Sequence, residues 1–127
     1  MKPEDNNIIL DKTFAFAIRI VNLYKYLTIK ATNKEFVLSK QLLRSGTSIG
    51  ANTEEAIGAI STADFVNKLA IAYKEARETK YWIRILQRTE YLSEQEAKSI
   101  LTDLDDISNI IAKIQITTKN NQKKNNS

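Results

Sequence analysis

The chain contains neither cysteine nor histidine among its 127 residues. Without cysteine there is no disulfide, no thiolate nucleophile and no thiolate-held zinc. Without histidine it lacks the commonest general base and the commonest transition-metal ligand. Glycine and proline number only three and one, and no β-branched run is bounded by turn residues. Long helices joined by short loops are what such a composition leaves. No stretch approaches the ~18–20 uncharged apolar residues of a membrane span. The opening MKPEDNNIIL does not have the pattern of a secretory leader, and none is expected. A one-domain cytoplasmic protein with no membrane partner is the expectation.

What is present is helical periodicity. The spacing predicts a first helix from about Asp11 to Ala31 with Asp11 as N-cap, and a second that opens on a Thr32–Glu35 capping box and runs to about Gly58. A third opens at Ser61-Thr62-Ala63-Asp64 and extends to about Thr89; a fourth opens at Ser93-Glu94-Gln95-Glu96 and ends near Thr117. Residues 1–7 are expected to be a flexible N-terminus, 8–117 the bundle domain, and 118–127 a disordered polar and basic tail. Short loops between long helices make neighbours antiparallel, so the expected fold is all-α, an up-down-up-down left-handed four-helix bundle. Helix three offers Phe65, Leu69, Ala72, Ala76, Thr79, Ile83 and Leu86 to the core; helix four offers Ala97, Ile100, Leu104, Ile107, Ile111 and Ile114.

Helix one carries two apolar stripes. Phe14, Ala17, Ile18, Val21 and Tyr24 form one; Phe16, Ile20, Leu23 and Leu27 form the other. A bundle buries one side of each helix, so the second stripe needs cover from a partner subunit. A homo-oligomer follows.

The segment Leu38–Gly58 is unusual in placing Gly46 and Gly50 inside a helix, at about 1 kcal/mol each relative to alanine. Close approach of another backbone and a satisfied polar network would offset that cost. The expected network is Arg44 answered by Glu55, Glu75 and Glu78, with Ser45, Ser48 and Asn52 filling spare hydrogen bonds and Trp82 on the Glu75–Glu78 stripe. Glu54–Glu55 and Glu75/Glu78 are the only acid/base or metal candidates, and a carboxylate di-metal site of the bundle type also needs histidine. The structural role is preferred, with no catalytic residue, no metal and no cofactor expected. Opposite that stripe lie Lys74, Arg77, Lys80, Arg84 and Arg88, with Tyr73 and Tyr81 among them. Basic residues interleaved with tyrosine can hold a phosphate backbone and stack bases; the plainer alternative is a solvated charged face. The net charge of +4 adds little, because Lys119, Lys123 and Lys124 of the tail supply much of it. An RNA- or DNA-binding protein and a protein-interaction scaffold are therefore the two competing functions, and an enzyme is not expected.

Two stretches carry a family resemblance: LLRSGTSIGANTEEAIGA (Leu42–Ala59) and DFVNKLAIAYKEARETKYWIRIL (Asp64–Leu86). Over about residues 8–115 the chain resembles the four-helix bundle proteins encoded in intervening sequences of bacterial 23S rRNA genes. The resemblance implies a ring-shaped homopentamer. It also implies kinship with the accessory protein of diversity-generating retroelements, a pentameric barrel associated with nucleic acid and a reverse transcriptase. Arg44, Asn52, Glu55, Glu75, Glu78 and Trp82 match recurring family positions, whose implied role is structural. The chain departs from the pattern at Thr53, where Ile is commoner, and at Ile60, where a polar residue is commoner.

Overall fold

The computed structural model describes residues 3–125, and of these the described residues form four α-helices and no strand. They are α1 (Pro3–Lys25), α2 (Leu38–Ile57), α3 (Thr62–Arg88) and α4 (Glu94–Asn125), with a single π-turn, Tyr26–Lys30, prolonging α1. Helix α1 packs on α2, α2 on α3, α3 on α4, and α4 closes onto α1. The core lines are those the spacing predicts. Leu69, Ala72, Ala76, Thr79, Ile83 and Leu86 of α3 are buried, with Phe65 half-buried, and so are all six predicted residues of α4.

Both termini differ from the expectation. Helix α1 starts at Pro3, not Asp11, and proline suits a first helical position because its missing N–H would be unpaired there anyway. The buried line Ile9, Thr13, Phe16, Ile20 shows why: the core stripe begins before Asp11. Helix α4 likewise continues to Asn125. Its line Ile107, Ile111, Ile114 is prolonged by buried Thr118, whose hydroxyl donates to the Ile114 carbonyl at 2.8 Å. Residues 1–2 and 126–127, the rest of the expected flexible ends, lie outside the described residues.

Helix starts are decided by local chemistry, and the start of α2 is not a Ser/Thr box. Ser93 and Glu96 close the full reciprocal box, at 3.0 and 3.1 Å. The Ser61 hydroxyl accepts from the Asp64 N–H at 3.1 Å. Helix α2, however, begins only at Leu38, and Glu35 is not the third residue of a Thr32 box. Its carboxylate instead accepts from the backbone N–H groups of Val37, Leu38 and Ser39 at 3.0, 2.8 and 2.8 Å. Three donors that a first turn leaves orphaned are met by one buried side chain, which a threonine hydroxyl could not do. Helix α3 ends on a Schellman arrangement, with Tyr91 N–H to Leu86 O at 2.9 Å and Glu90 N–H to Gln87 O at 3.1 Å. Glu90 takes the left-handed position, φ 70°, usually given to glycine.

Burial pushes the Glu35 carboxyl up, but the N–H donors of Leu38, Ser39 and Val37, with the Ser39 hydroxyl, outweigh it and hold the group below its ordinary value. A depressed folded-state value means the stabilisation is present above the unfolded pKa and lost as pH falls through the folded one. Glu35→Ala is expected to cost about 1–2 kcal/mol near neutral pH. In urea titrations from neutral to acid pH, that difference from the parent should shrink as the parent's carboxylate takes up its proton. A pH-independent difference would contradict the assignment.

The two helical glycines are both close contacts, but only Gly50 meets the expected backbone, while Gly46 meets a side chain. A Cβ at Gly46 would stand 2.8 Å from both Cγ atoms of Ile20, and one at Gly50 would stand 3.3 Å from the Thr13 carbonyl oxygen. The buried hydroxyls near them are satisfied mostly within their own helices. Thr13, Thr53 and Thr79 each donate to the carbonyl four residues back, at 2.8 Å. Thr53, at a position where Ile is commoner, is thus buried without an unpaired oxygen, while Ile60 is almost wholly exposed.

Candidate nucleic-acid interface

Helix α3 turns one face to the core and carries charge of opposite sign on its two flanks. On the α2 flank, Arg44 reaches Glu78 at 2.6 Å and Glu75 at 3.3 Å, and the Trp82 indole N–H donates to Glu78 at 3.4 Å. The Arg44 hydrogen bond, reinforced by its charge, holds the Glu78 carboxyl below its ordinary value, and Glu78 in turn raises Arg44. Glu75 is only 12% exposed, but the Arg44 side chain is 50% exposed, so the network is partly solvated. The about 3–5 kcal/mol typical of breaking a fully buried pair is therefore too much to assign to it.

The network is smaller than the sequence reading has it. Arg44, Glu75, Glu78 and Trp82 come together; Glu55, Asn52, Ser45 and Ser48 do not join them. Glu55 pairs with Lys68 at 2.9 Å. It shares a face with Arg44 but sits ~16 Å further along α2, and α3 runs the opposite way, so Lys68 and not Glu78 lies across from it. Asn52 donates to the Ser48 carbonyl, and the Ser48 hydroxyl to the Arg44 carbonyl. Ser45 faces inward, and its hydroxyl lies 2.9 Å from that of Thr79, which accepts from it while donating to the Glu75 carbonyl.

On the other flank, Lys74, Arg77, Lys80, Arg84 and Arg88 are all exposed, at spacings that stack them along one stripe. Lys80 meets Asp105 of α4 at 3.3 Å. Among the described residues no carboxylate lies within ion-pair distance of the other four. Between this stripe and α4 runs a groove of about 520 Å³, bounded by Tyr73, Ala76, Arg77, Lys80, Tyr81 and Arg84 of α3 and by Asp105, Ser108 and Asn109 of α4. Tyr81 is 55% exposed, and its ring meets Trp82 edge-on with centroids 5.3 Å apart. Tyr73 is instead half-buried against the core.

The α4 wall of the groove is what sequence reasoning missed. The run Leu-Thr-Asp-Leu-Asp-Asp at residues 101–106 is its visible signal: Asp103 binds Arg19 and Asp106 binds Lys12, both at 2.6 Å, leaving Asp105 for α3. The Lys12 ammonium is raised by its hydrogen bond to Asp106. The carboxylates Glu54, Glu55, Glu75 and Glu78 form no metal-holding cluster, nor do any other side chains among the described residues.

The family model described as 23S rRNA-intervening sequence protein matches residues 5–113. A 1.70 Å crystal structure of a protein of unknown function from the S23 ribosomal protein family of Bacteroides thetaiotaomicron is 51% identical, covers 87% of this chain and 97% of its own, and superposes with a TM-score of 0.84. No curated protein matches the chain.

Proposed function

The chain belongs to the 23S rRNA-intervening sequence protein family, and from that premise we propose a non-enzymatic up-down-up-down helical bundle that assembles into a ring with copies of itself and binds RNA or DNA through phosphate contacts. The observation that carries the nucleic-acid part is the exposed stripe of Lys74, Arg77, Arg84 and Arg88, four cations with no carboxylate within ion-pair distance among the described residues. Of the five cations in the stripe only Lys80 is answered by a carboxylate, Asp105, so among the described residues the face keeps an excess of positive charge. Repeated around a ring, the stripe becomes a continuous positive surface that attracts polyanions of any sequence.

The assembly part rests on α1. Its stripe Phe16, Ile20 and Leu27 is buried in the protomer, with Leu23 half-buried beside it, while Phe14 and Ile18 of the other stripe are 65% and 50% exposed. A ring of five is the size the family resemblance implies. Among the described residues no helix is long and apolar enough to cross a membrane, and a cytoplasmic location belongs to the same proposal.

Fluorescence anisotropy with labelled RNA and DNA at low salt tests the binding. Affinity is expected to fall steeply with added salt and to vary little with base sequence. Replacing Arg77, Arg84 and Arg88 together by alanine should weaken binding and flatten the salt dependence, by about 0.7–0.9 in log–log slope for each phosphate no longer neutralised. No binding at low salt, or binding unaltered in the triple variant, would overturn the reading. A second reading, a scaffold for another protein, draws on Ile29, Phe36 and Val37, three large apolar side chains exposed at the α1–α2 connection. An intact oligomer that binds no nucleic acid would favour it.

A further inference from the structure

We propose that the α3–α4 groove receives an unstacked base, so that the protein selects single strands over duplexes; this rests on the nucleic-acid reading above and narrows it. Phosphate contacts alone hold either form, since both present the same charged backbone. The groove adds something a duplex cannot use. Tyr81 stands between Arg77 and Arg84, four residues after one and three before the other, so all three share a face. The residue is more than half exposed, and the edge-on contact with Trp82 presets the orientation of its ring. A pre-oriented aromatic flanked by two cations is a stacking platform for a base whose phosphates the arginines hold.

The opposite wall determines which part of a nucleotide goes in. Asp105 puts a carboxylate in the groove, and its partner Lys80 is 3.3 Å away. With one oxygen on Lys80, the second offers a phosphate no hydrogen to bond but can accept from the ring and amino N–H groups of a base. Ser108 and Asn109 line the same wall and add polar groups that can meet a base edge. Phosphates therefore sit on the arginine rim and a base turns inward. At about 520 Å³ the space is of the size that small-molecule sites have. In a duplex each base is paired and stacked, and turning one outward costs its pairing and stacking energy.

The test measures a labelled single strand and its own duplex, as RNA and as DNA, in the same low-salt buffer, against the parent, Tyr81→Leu and Tyr81→Phe. The parent should bind the single strand about tenfold or more tightly than the duplex. Tyr81→Leu should lose about fivefold or more on the single strand and less than about twofold on the duplex, because it removes the π-face and leaves every cation. Tyr81→Phe should keep the single-strand affinity. Binding to both forms with equal strength would overturn this inference and leave the phosphate reading standing, as would a Leu variant that weakens both alike or neither. Binding to neither form would remove both. Tyr81 lies outside the core, so these variants keep the fold.

Discussion

Gly46→Ala is expected to lower the stability of the folded chain by about 1–3 kcal/mol, although alanine is the better helix former by about 1 kcal/mol. The added Cβ would stand 2.8 Å from Cγ1 and Cγ2 of Ile20 together. Ile20 is fully buried and β-branched, so no single rotation moves both carbons away, and α1 and α2 must separate instead. Gly46→Leu should exceed about 3 kcal/mol, since a whole side chain must then fit where a hydrogen does. Gly50→Ala makes the informative contrast. Its nearest atom is the Thr13 carbonyl oxygen at 3.3 Å, a few tenths of an ångström inside ordinary contact. There the propensity gain offsets most of the crowding, and a change within about 1 kcal/mol is expected. Denaturant midpoints at one fixed protein concentration decide the matter, because the proposed assembly would make stability concentration-dependent. An alanine at position 46 as well tolerated as one at position 50 would contradict the packing.

If the proposed ring closes through the outer stripe of α1, Phe14→Glu combined with Ile18→Lys should take it apart into monomers without unfolding the chain. Both side chains lie on the outer stripe of α1, away from the buried Ile9, Phe16 and Ile20. Phe14 and Ile18 are 65% and 50% exposed, so covering what remains is worth about 1–2 kcal/mol each, and burying a charge in their place adds a penalty. The loss of about 2–4 kcal/mol per subunit interface weakens association by about thirtyfold or more. Light scattering on a sizing column reads the mass directly, and far-ultraviolet circular dichroism checks that helix content is kept. A parent that is itself monomeric at working concentration would end the ring proposal. So would a double variant that keeps the parent's mass. The doubly charged protomer also provides a control for the nucleic-acid titration, since it retains the whole α3 stripe but not its repetition.

These expectations draw unequally on sequence and structure. The core lines of α3 and α4 are legible residue by residue, because a helix repeats every 3.6 residues whatever it packs against. The caps at Ser61 and Ser93 are legible for a similar reason: both partners lie three residues apart. The start of α2 is not, because Thr32 and Glu35 have the spacing of a box while the Glu35 carboxylate reaches forward to three N–H groups instead. Nor is the end of α4, where a polar composition suggests disorder although Thr118 continues the buried line with its hydroxyl satisfied. Pattern and composition are local signals, and at both of these places the local signal has two readings.

What the residues determined by themselves is the helical class, the inward faces of α3 and α4, the close approach at the two glycines and the basic stripe. All of these follow from side-chain spacing along one helix. The tertiary structure decided what spacing along one helix does not contain: which stripe of α1 is buried, that Glu55 answers Lys68 and not Arg44, and that Asp105, Ser108 and Asn109 face Tyr81 across a groove. Those pairings depend on how far each helix is slid and turned against its neighbour. That register emerges only when all four helices compete to bury their apolar surface at once.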